Sequence, residues 1–564
     1  MPVNDRFRWA ALGAAAALLT AAAAPSALAA PEKKGPTKAA TTEVQLLGLN
    51  DFHGALEPPS GSSGRIGSTN AGGAAYLATH VRELRATNPN TLFVSAGDLI
   101  GATPLVSALF HDEPTIEAAN LMDLDFNAVG NHEFDEGVDE LLRMQEGGCH
   151  PVDGCQDGDG FGGAEFDFLA ANVKYKSTGD TIFPPYAIEK FKGVKVGLIG
   201  MTTKVTPAIV SPAGISSVDF LDEVETVNAL VPHLKKKGVR TIVVLLHEGG
   251  STSNPLNETT INSCGTTTGR VPQIASALDD EVDVMITGHT NWAVNCEIDG
   301  KVVTGAASNG RLITDIDMTL SRATKQPTEI LVNNRIVTRT VDPAADLTTL
   351  ISKYQTASAP FANRVIGRIT ADILRAANAA GESSLGDRIA DAQNFDAQQA
   401  GTGSQIAFMN AGGIRADLLY APSGGEQPGE VTYGEAFAVQ PFGNSLVTMS
   451  LTGQQIDALL EQQFTGGNGI LQVSEGFSYR RSDSAPAGSK VDNITLNGAP
   501  LDAAATYRVT VNSFLADGGD NYSVLLEGTD RVPGNVDTDA FENYLLANPA
   551  GIAPGPQDRI IRVP

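Results

Sequence analysis

Five runs rich in valine, isoleucine and leucine limit what this chain can fold into. They lie at residues 44–49, 92–95, 194–199, 241–246 and 282–287. Each has the length of a strand, and each is apolar enough to be buried. Between several of them lie amphipathic helix candidates at 74–86 and 224–237. Strands and helices in alternation predict a layered α/β domain.

The residues that follow these runs carry the chemistry. After 44–49 come Asn50, Asp51, Phe52 and His53, and after 92–95 come Gly97 and Asp98. Run 241–246 leads into His247 and Glu248, and run 282–287 into Gly288, His289, Thr290 and Asn291. One more cluster, Gly130-Asn131-His132-Glu133-Phe134-Asp135, follows a shorter apolar stretch. Loops at the carboxyl ends of strands form the ligand crevice of open α/β sheets, so these residues are expected to converge.

Carboxylate, imidazole and amide oxygen are ligands for borderline and hard divalent cations. Asp98 is the candidate bridge between two ions. Asp51 and His53 are candidates for one of them, and Asn131, His247 and His289 for the other. Two such cations bind an anionic phosphate, activate water at neutral pH and stabilise an in-line displacement. The chain has 8 histidines, and four stand in these clusters. His80, His111, His150 and His233 are read as surface or packing residues.

The ordered set resembles the calcineurin-like metallophosphoesterases. Asn50-Asp51-Phe52-His53-Gly54, taken with the cluster at 130–135, resembles their 5'-nucleotidase branch, which includes UDP-sugar hydrolases and 2',3'-cyclic-nucleotide phosphodiesterases. The resemblance implies an α/β protein: a four-layer αββα catalytic domain followed by a smaller α+β or α/β nucleotide-recognition domain that can rotate against it. It implies two divalent ions such as zinc, manganese or cobalt. Asp51, His53 and Asp98 would hold one, and Asp98, Asn131, His247 and His289 the other. It also implies that His132 and Asp135 form a catalytic dyad. An aspartate three residues on can orient the imidazole and keep it cationic, suiting it to stabilise charge on the phosphoryl oxygens or the leaving group. Where the family's last metal motif ends in His or Gln, this chain has Asn291, a shorter amide ligand.

Residues 406–409, 446–450 and 507–511 read as strands of the second unit. Thr452 and Gln455 form a capping box ahead of a helix whose apolar face carries Ile456, Leu459 and Leu460. Three segments resemble the family's nucleotide site: 409–415 with Asn410, Gly413 and Arg415, 440–444 with Phe442 and Asn444, and 513–520 with Phe514 and Asp520. Backbone N–H groups and a guanidinium suit phosphate and ribose oxygens. Two rings can sandwich a nucleobase, although core packing of Phe442 and Phe514 is the alternative. Asp520 suits ribose hydroxyls, and Arg375 is the candidate for a further phosphate-binding arginine.

A length of 564 residues exceeds a single core. The organisation expected is a signal peptide at 1–29, a flexible tail at 30–42, the catalytic domain at 43–340, a helical linker at 341–364 and the substrate domain at 365–564. The leader reading rests on Arg6 and Arg8, the apolar stretch 9–24 and the small residues Ala27-Leu28-Ala29. No second apolar span follows, so a secreted protein without a stable membrane anchor is expected. Its 65 acidic and 39 basic residues give a net charge of -26, which opposes a nucleic-acid polymer as partner. A small nucleotide remains suitable, because bound cations reverse the local field. Cys149, Cys155, Cys264 and Cys296 allow three disulfide pairings, with a Cys/His zinc site using His150 as the alternative. The expected activity is nucleotide phosphohydrolysis. A cyclic-nucleotide or UDP-sugar phosphodiesterase, or a degenerate nucleotide-binding surface protein, are the alternatives.

Overall fold

The computed structural model describes residues 40–563 apart from 60, 212, 467 and 468. The expected signal peptide lies outside the described residues. The first strand, Thr41–Leu49, takes up the end of the expected tail, because Thr41 and Thr42 pair with Ser321 and Leu320.

Two six-stranded sheets build the N-terminal half. The first runs in the order Pro327–Ile336, Leu312–Ser321, Thr41–Leu49, Thr91–Ser95, Phe126–Ala128, Asp167–Leu169. Its last four strands are mutually parallel. The second runs Ala293–Ile298, Lys301–Ala306, Val284–Thr287, Thr241–His247, Val194–Thr202, Tyr186–Phe191, with a parallel centre and antiparallel edges.

The two-residue period of a strand sorts the side chains into layers. Val44, Leu46, Val243 and Leu245 enter one core with Val94, Leu198 and Ile286, which places it between the sheets. Leu47, Leu49 and Phe93 point the other way, into a core with Leu77 and Val81 of the helix Ala74–Arg85. Ile242, Val244 and Leu246 do the same on the far side, with Val227, Val231 and Leu234 of the helix Glu223–Lys236. The result is four layers, αββα. Strands buried on both faces have no wet side, which is why they are written as unbroken apolar runs. The strands Leu312–Ser321 and Pro327–Ile336 escape that reading because they carry polar pairs. The Arg335 Nε–H donates to Asp315 Oδ2 at 2.7 Å, for example.

The helix Ala345–Ala362 follows. It buries Leu347, Ile351 and Tyr354 in the core of the first helical layer, so it is a packed element and not a free tether. Beyond it, a five-stranded sheet runs Gln472–Val473, Ile406–Met409, Thr506–Asn512, Ser445–Thr452, Thr529–Val536. A four-stranded sheet contains Phe477–Ser482 and the strand Ile560–Val563. The helix Gly453–Gln462 packs Ile456, Leu459 and Leu460 into this half's core. Its capping box is formed: the Gln455 N–H donates to Thr452 Oγ1 at 3.1 Å, and the Thr452 N–H donates to Gln455 Oε1 at 2.9 Å. Such a cap is worth about 1 kcal/mol.

The cysteines pair Cys149–Cys155 and Cys264–Cys296, which removes the thiolates that a Cys/His zinc site would need. Among the described residues, no helix is long and apolar enough to cross a membrane.

Candidate active site

At the strand ends the backbone turns sharply, and it does so on non-glycine residues. Asp51 (φ 50°), His53 (φ 47°), Asp98 (φ 53°), His289 (φ 69°) and Asn291 (φ 56°) all occupy the left-handed region. Such a conformation costs of order 1–3 kcal/mol per residue and persists only where neighbours enforce it. Here the Asp51 N–H donates to the Gly97 carbonyl and the His53 N–H to the Asp98 carbonyl, each at 3.0 Å, strapping two adjacent loops together. Gly130 makes the close approach possible. A Cβ there would meet Asp98 Oδ1 at 2.2 Å and Asp98 N at 2.5 Å.

The expected ligands converge. Asp98 Oδ2 lies 3.0 Å from His247 Nε2 and 3.7 Å from His53 Nε2. Asn131 Oδ1 lies 3.2 Å from His247 Nε2 and 2.9 Å from His289 Nδ1. His53 Nδ1 faces the Gly101 carbonyl at 2.9 Å and His247 Nδ1 the Ala96 carbonyl at 2.8 Å. A backbone carbonyl on one ring nitrogen leaves the other to face a metal ion, the usual arrangement of a metal-bound histidine. Asp51 is fully buried, and its Oδ1 has no hydrogen-bond partner within the protein. Such an orphaned carboxylate oxygen fits a cation. Asn291 borders the same cavity from an exposed position.

The electrostatics agree. Burial, reinforced by Asp98, pushes the Asp51 carboxyl up to about 7. Burial works against charge on His247 too, but Asp98, Asp51 and Glu133 outweigh it and raise that imidazole to about 10. His53 and His289 go the other way: burial lowers them to about 3 and about 4, so both are neutral donors at neutral pH. Crowded carboxylates beside neutral imidazoles attract positive charge.

His132 and Asp135 sit beside this cluster. His132 Nδ1 is 2.9 Å from Asp135 Oδ2, and the His132 backbone N–H donates to Asp98 Oδ1 at 3.0 Å. Burial acts to lower the imidazole's pKa, but Asp135 and Asp98 prevail, and it is raised above the ordinary histidine range.

The second half supplies the opposite wall. Asn410, Gly413, Arg415, Phe442, Asn444, Phe514 and Asp520 line one cavity of about 440 Å³ together with His53, Asp98, Asn131, His132 and His289. Asn410 Nδ2 donates to Asp520 Oδ2 at 2.8 Å, joining two of the expected segments. The Phe442 ring stacks against His132, with centroids 5.7 Å apart and planes 18° from parallel. The Arg415 guanidinium lies over the other partner of that stack, 5.7 Å from the Phe442 centroid. Arg375 is not brought to the cavity wall. It is exposed, with its backbone N–H tied to Asp417 Oδ1 at 2.9 Å.

Two residues of the motifs do more than their place in the sequence revealed. Glu133 is buried behind the cluster and accepts four hydrogen bonds: from the backbone N–H groups of Asp98, Gly130 and Leu99, and from Asn127 Nδ2. It ties the Asp98 loop to the Asn131 loop. Asn50 donates to Asp51 Oδ2 at 2.6 Å and to the Ala307 carbonyl, and accepts from the Ala306 N–H, which aims Asp51. The only hint of either role was adjacency to an expected ligand.

Comparison with known proteins places both halves. Residues 44–292 match the calcineurin-like phosphoesterases, and residues 365–527 match the 5'-nucleotidase C-terminal domain. The chain is 32% identical over 524 residues to endonuclease YhcR of Bacillus subtilis, a match that covers 92% of the chain but only 41% of that longer relative. It is 34% identical to cell wall protein Lmo0130 of Listeria monocytogenes, covering 90% of the chain and 67% of that protein. The crystal structure of a 5'-nucleotidase precursor from Thermus thermophilus superposes with a TM-score of 0.76 at 28% identity, covering 92% of this chain and 99% of that one.

Proposed function

The chain belongs to the calcineurin-like phosphoesterases that carry a 5'-nucleotidase C-terminal domain, and from that premise we propose that it is an exported nucleotide phosphohydrolase working with two divalent cations. One observation carries the reading. Residues of both halves, far apart in sequence, line a single cavity, with metal-type ligands on one wall and Arg415, Phe442, Phe514 and Asp520 on the other.

Asp51, His53 and Asp98, together with Asn291, would hold one ion, and Asp98, Asn131, His247 and His289 the other. When bound, a pair of divalent ions supplies Lewis acidity toward a phosphate and toward water. The protein's own groups do the rest. His132, kept cationic by Asp135, donates to the phosphoryl oxygens or the leaving oxygen as negative charge builds there. Arg415 faces the phosphate, Phe442 and Phe514 take the base, and Asp520 accepts from the ribose hydroxyls. Leu141, Met144 and Val210 also line this cavity. That leaves room for a group beyond the phosphorus, so a phosphodiester or nucleotide sugar is the second reading.

Phosphate release across nucleoside mono- and diphosphates, cyclic nucleotides, UDP-sugars and p-nitrophenyl phosphate, with the metal varied, tests both. Turnover of the small ester without preference for any nucleotide would overturn the assignment of the C-terminal wall.

A further inference from the structure

The loop that carries Phe442 is held by a helix whose residues do not line the cavity. Residues 440–444 join the helix Tyr433–Val439 to the strand Ser445–Thr452. The loop starts where the Gln440 N–H closes that helix on the Ala436 carbonyl at 3.2 Å. Gln440 is buried, and its own carbonyl accepts from Thr538 Oγ1 at 3.1 Å. At the other end, the Asn444 carbonyl accepts from the Asp537 N–H at 2.8 Å. Asp537 and Thr538 open the helix Asp537–Ala547, and both are buried.

The side chains extend the link. Asp537 Oδ1 accepts from the Thr538 N–H at 2.9 Å, and the same carboxylate takes a hydrogen bond from the Asn444 side chain. Asn444 Oδ1 accepts from Ser513 Oγ at 3.3 Å, which leaves its Nδ2 for Asp537. Ser513 stands next to Phe514 in the helix Ser513–Ala516. One buried carboxylate therefore refers both ring-bearing segments to the same helix end.

We propose that Asp537 and Thr538 are positioning residues for nucleotide recognition: they fix residues 440–444 and so place Phe442 and Asn444 against the nucleoside. The inference rests on the reading of the C-terminal wall given above. The middle of the loop has little to hold it. Gly443 is exposed at φ 61°, and a Cβ there would meet no atom within 4 Å. Its ends therefore decide where the Phe442 ring lies. Stacking tolerates little error in that place, since a gap of about 0.5–1 Å forfeits about a quarter to a half of the dispersion attraction. If the two ties served the fold alone, losing them would lower stability and leave substrate choice as it is.

The test uses Thr538→Val, which keeps the shape and removes the O–H, Thr538→Ser, which restores it, and Asp537→Ala, which also frees Asn444. Each full-length variant is assayed at saturating metal for kcat and KM on AMP and on p-nitrophenyl phosphate. Hydrogen exchange is followed over residues 440–444 without nucleotide. Thr538→Val is expected to raise KM for AMP by about 2- to 13-fold, the worth of one hydrogen bond. The AMP-to-ester ratio of kcat/KM should fall by a similar factor, and exchange over 440–444 should quicken. Thr538→Ser should return all three toward wild type, and Asp537→Ala should lower the ratio at least as far as Thr538→Val. In a Phe442→Ala background, Thr538→Val should move the ratio no further, because the ring it places is gone. If Asp537→Ala misfolds, Thr538→Val decides alone. A ratio unchanged in folded Thr538→Val, where Phe442→Ala lowers it, overturns the positioning role and leaves the base clamp standing. A ratio that Phe442→Ala itself does not move removes the clamp, and the positioning role falls with it.

Discussion

The stack of Phe442 on His132 gives the two cavity phenylalanines different predicted phenotypes. If both rings hold the base, removing either weakens nucleotide use by about 1–3 kcal/mol, the range of base–aromatic stacking. That is about a 5- to 150-fold fall in kcat/KM. Phe442 also pairs with the imidazole of His132 as a near-parallel ring, with centroids at 5.7 Å. An aromatic pair is worth about 0.5–1.5 kcal/mol beyond its buried area, so Phe442→Ala should cost a further 2- to 13-fold or so on every substrate. Phe514 has no ring contact with His132; its neighbour is the backbone of Gly519, where a Cβ would sit 2.5 Å from the ring.

The assay is kcat/KM for AMP and for p-nitrophenyl phosphate at saturating metal. Phe514→Ala should lower AMP turnover and spare the small ester. Phe442→Ala should lower both, and the AMP-to-ester ratio should fall by a similar factor in the two variants. Equal losses on both substrates in Phe514→Ala would refute the base clamp. A small-ester rate untouched by Phe442→Ala would refute the link between that ring and His132.

His132→Ala should lower kcat by about 10²- to 10³-fold, the usual cost of one preorganised charge-stabilising group, with metal content by mass spectrometry unchanged. Asp135→Asn, by removing a charge that raises the His132 pKa, should move the alkaline limb of the kcat–pH profile to lower pH; a limb that stays put assigns it to another group. Chelation should abolish activity, with manganese, cobalt or zinc restoring it, and Asp98→Asn should be the most damaging single ligand change because both ions are expected to share that carboxylate. Glu133→Gln turns one acceptor oxygen into an N–H donor facing two of its four partners, and at about 1–3 kcal/mol per stranded buried group it should cost about 2–6 kcal/mol in urea unfolding; a loss under about 1 kcal/mol would mean the loops hold themselves. Asn291→His should lower the metal concentration for half-maximal activity, and an unchanged titration would show that Asn291 is not a ligand.

Much of the site was legible because two strong constraints coincide in the sequence. A strand buried on both faces must be apolar, and the chain can become polar only where the strand ends. Asp51, Asp98, His247 and His289 therefore stand out against the runs before them. Where that contrast is missing, the sequence is mute. The strand Leu312–Ser321 carries Asp315 and Asp317 and does not look buried, although Asp315 is. Glu133 sits among expected ligands and is chemically indistinguishable from one until its four donors are seen. His111 and His150 lie 39 positions apart on unrelated loops, and only the fold stacks them. Arg375 is exposed and does not line the cavity, yet it stands close enough to Arg415 to act on that guanidinium electrostatically, a placement that no local pattern in the sequence signals.

The backbone of the site points to the deeper limit. Five of the seven expected metal ligands take left-handed φ values, a conformation that local preference assigns to glycine. Turn chemistry alone would have written glycine at 51, 53, 98, 289 and 291, and with glycine there the donors would be gone. The conflict is settled by the carbonyls of Gly97 and Asp98, which hold the N–H groups of Asp51 and His53 in place, and by Glu133, which anchors the Asp98 loop. Local rules break where side-chain chemistry overrides backbone preference, and the compensation appears in the hydrogen bonds behind the ligands and not in the ligands themselves. The residues that make this site possible are thus partly those with no donor pointing into it.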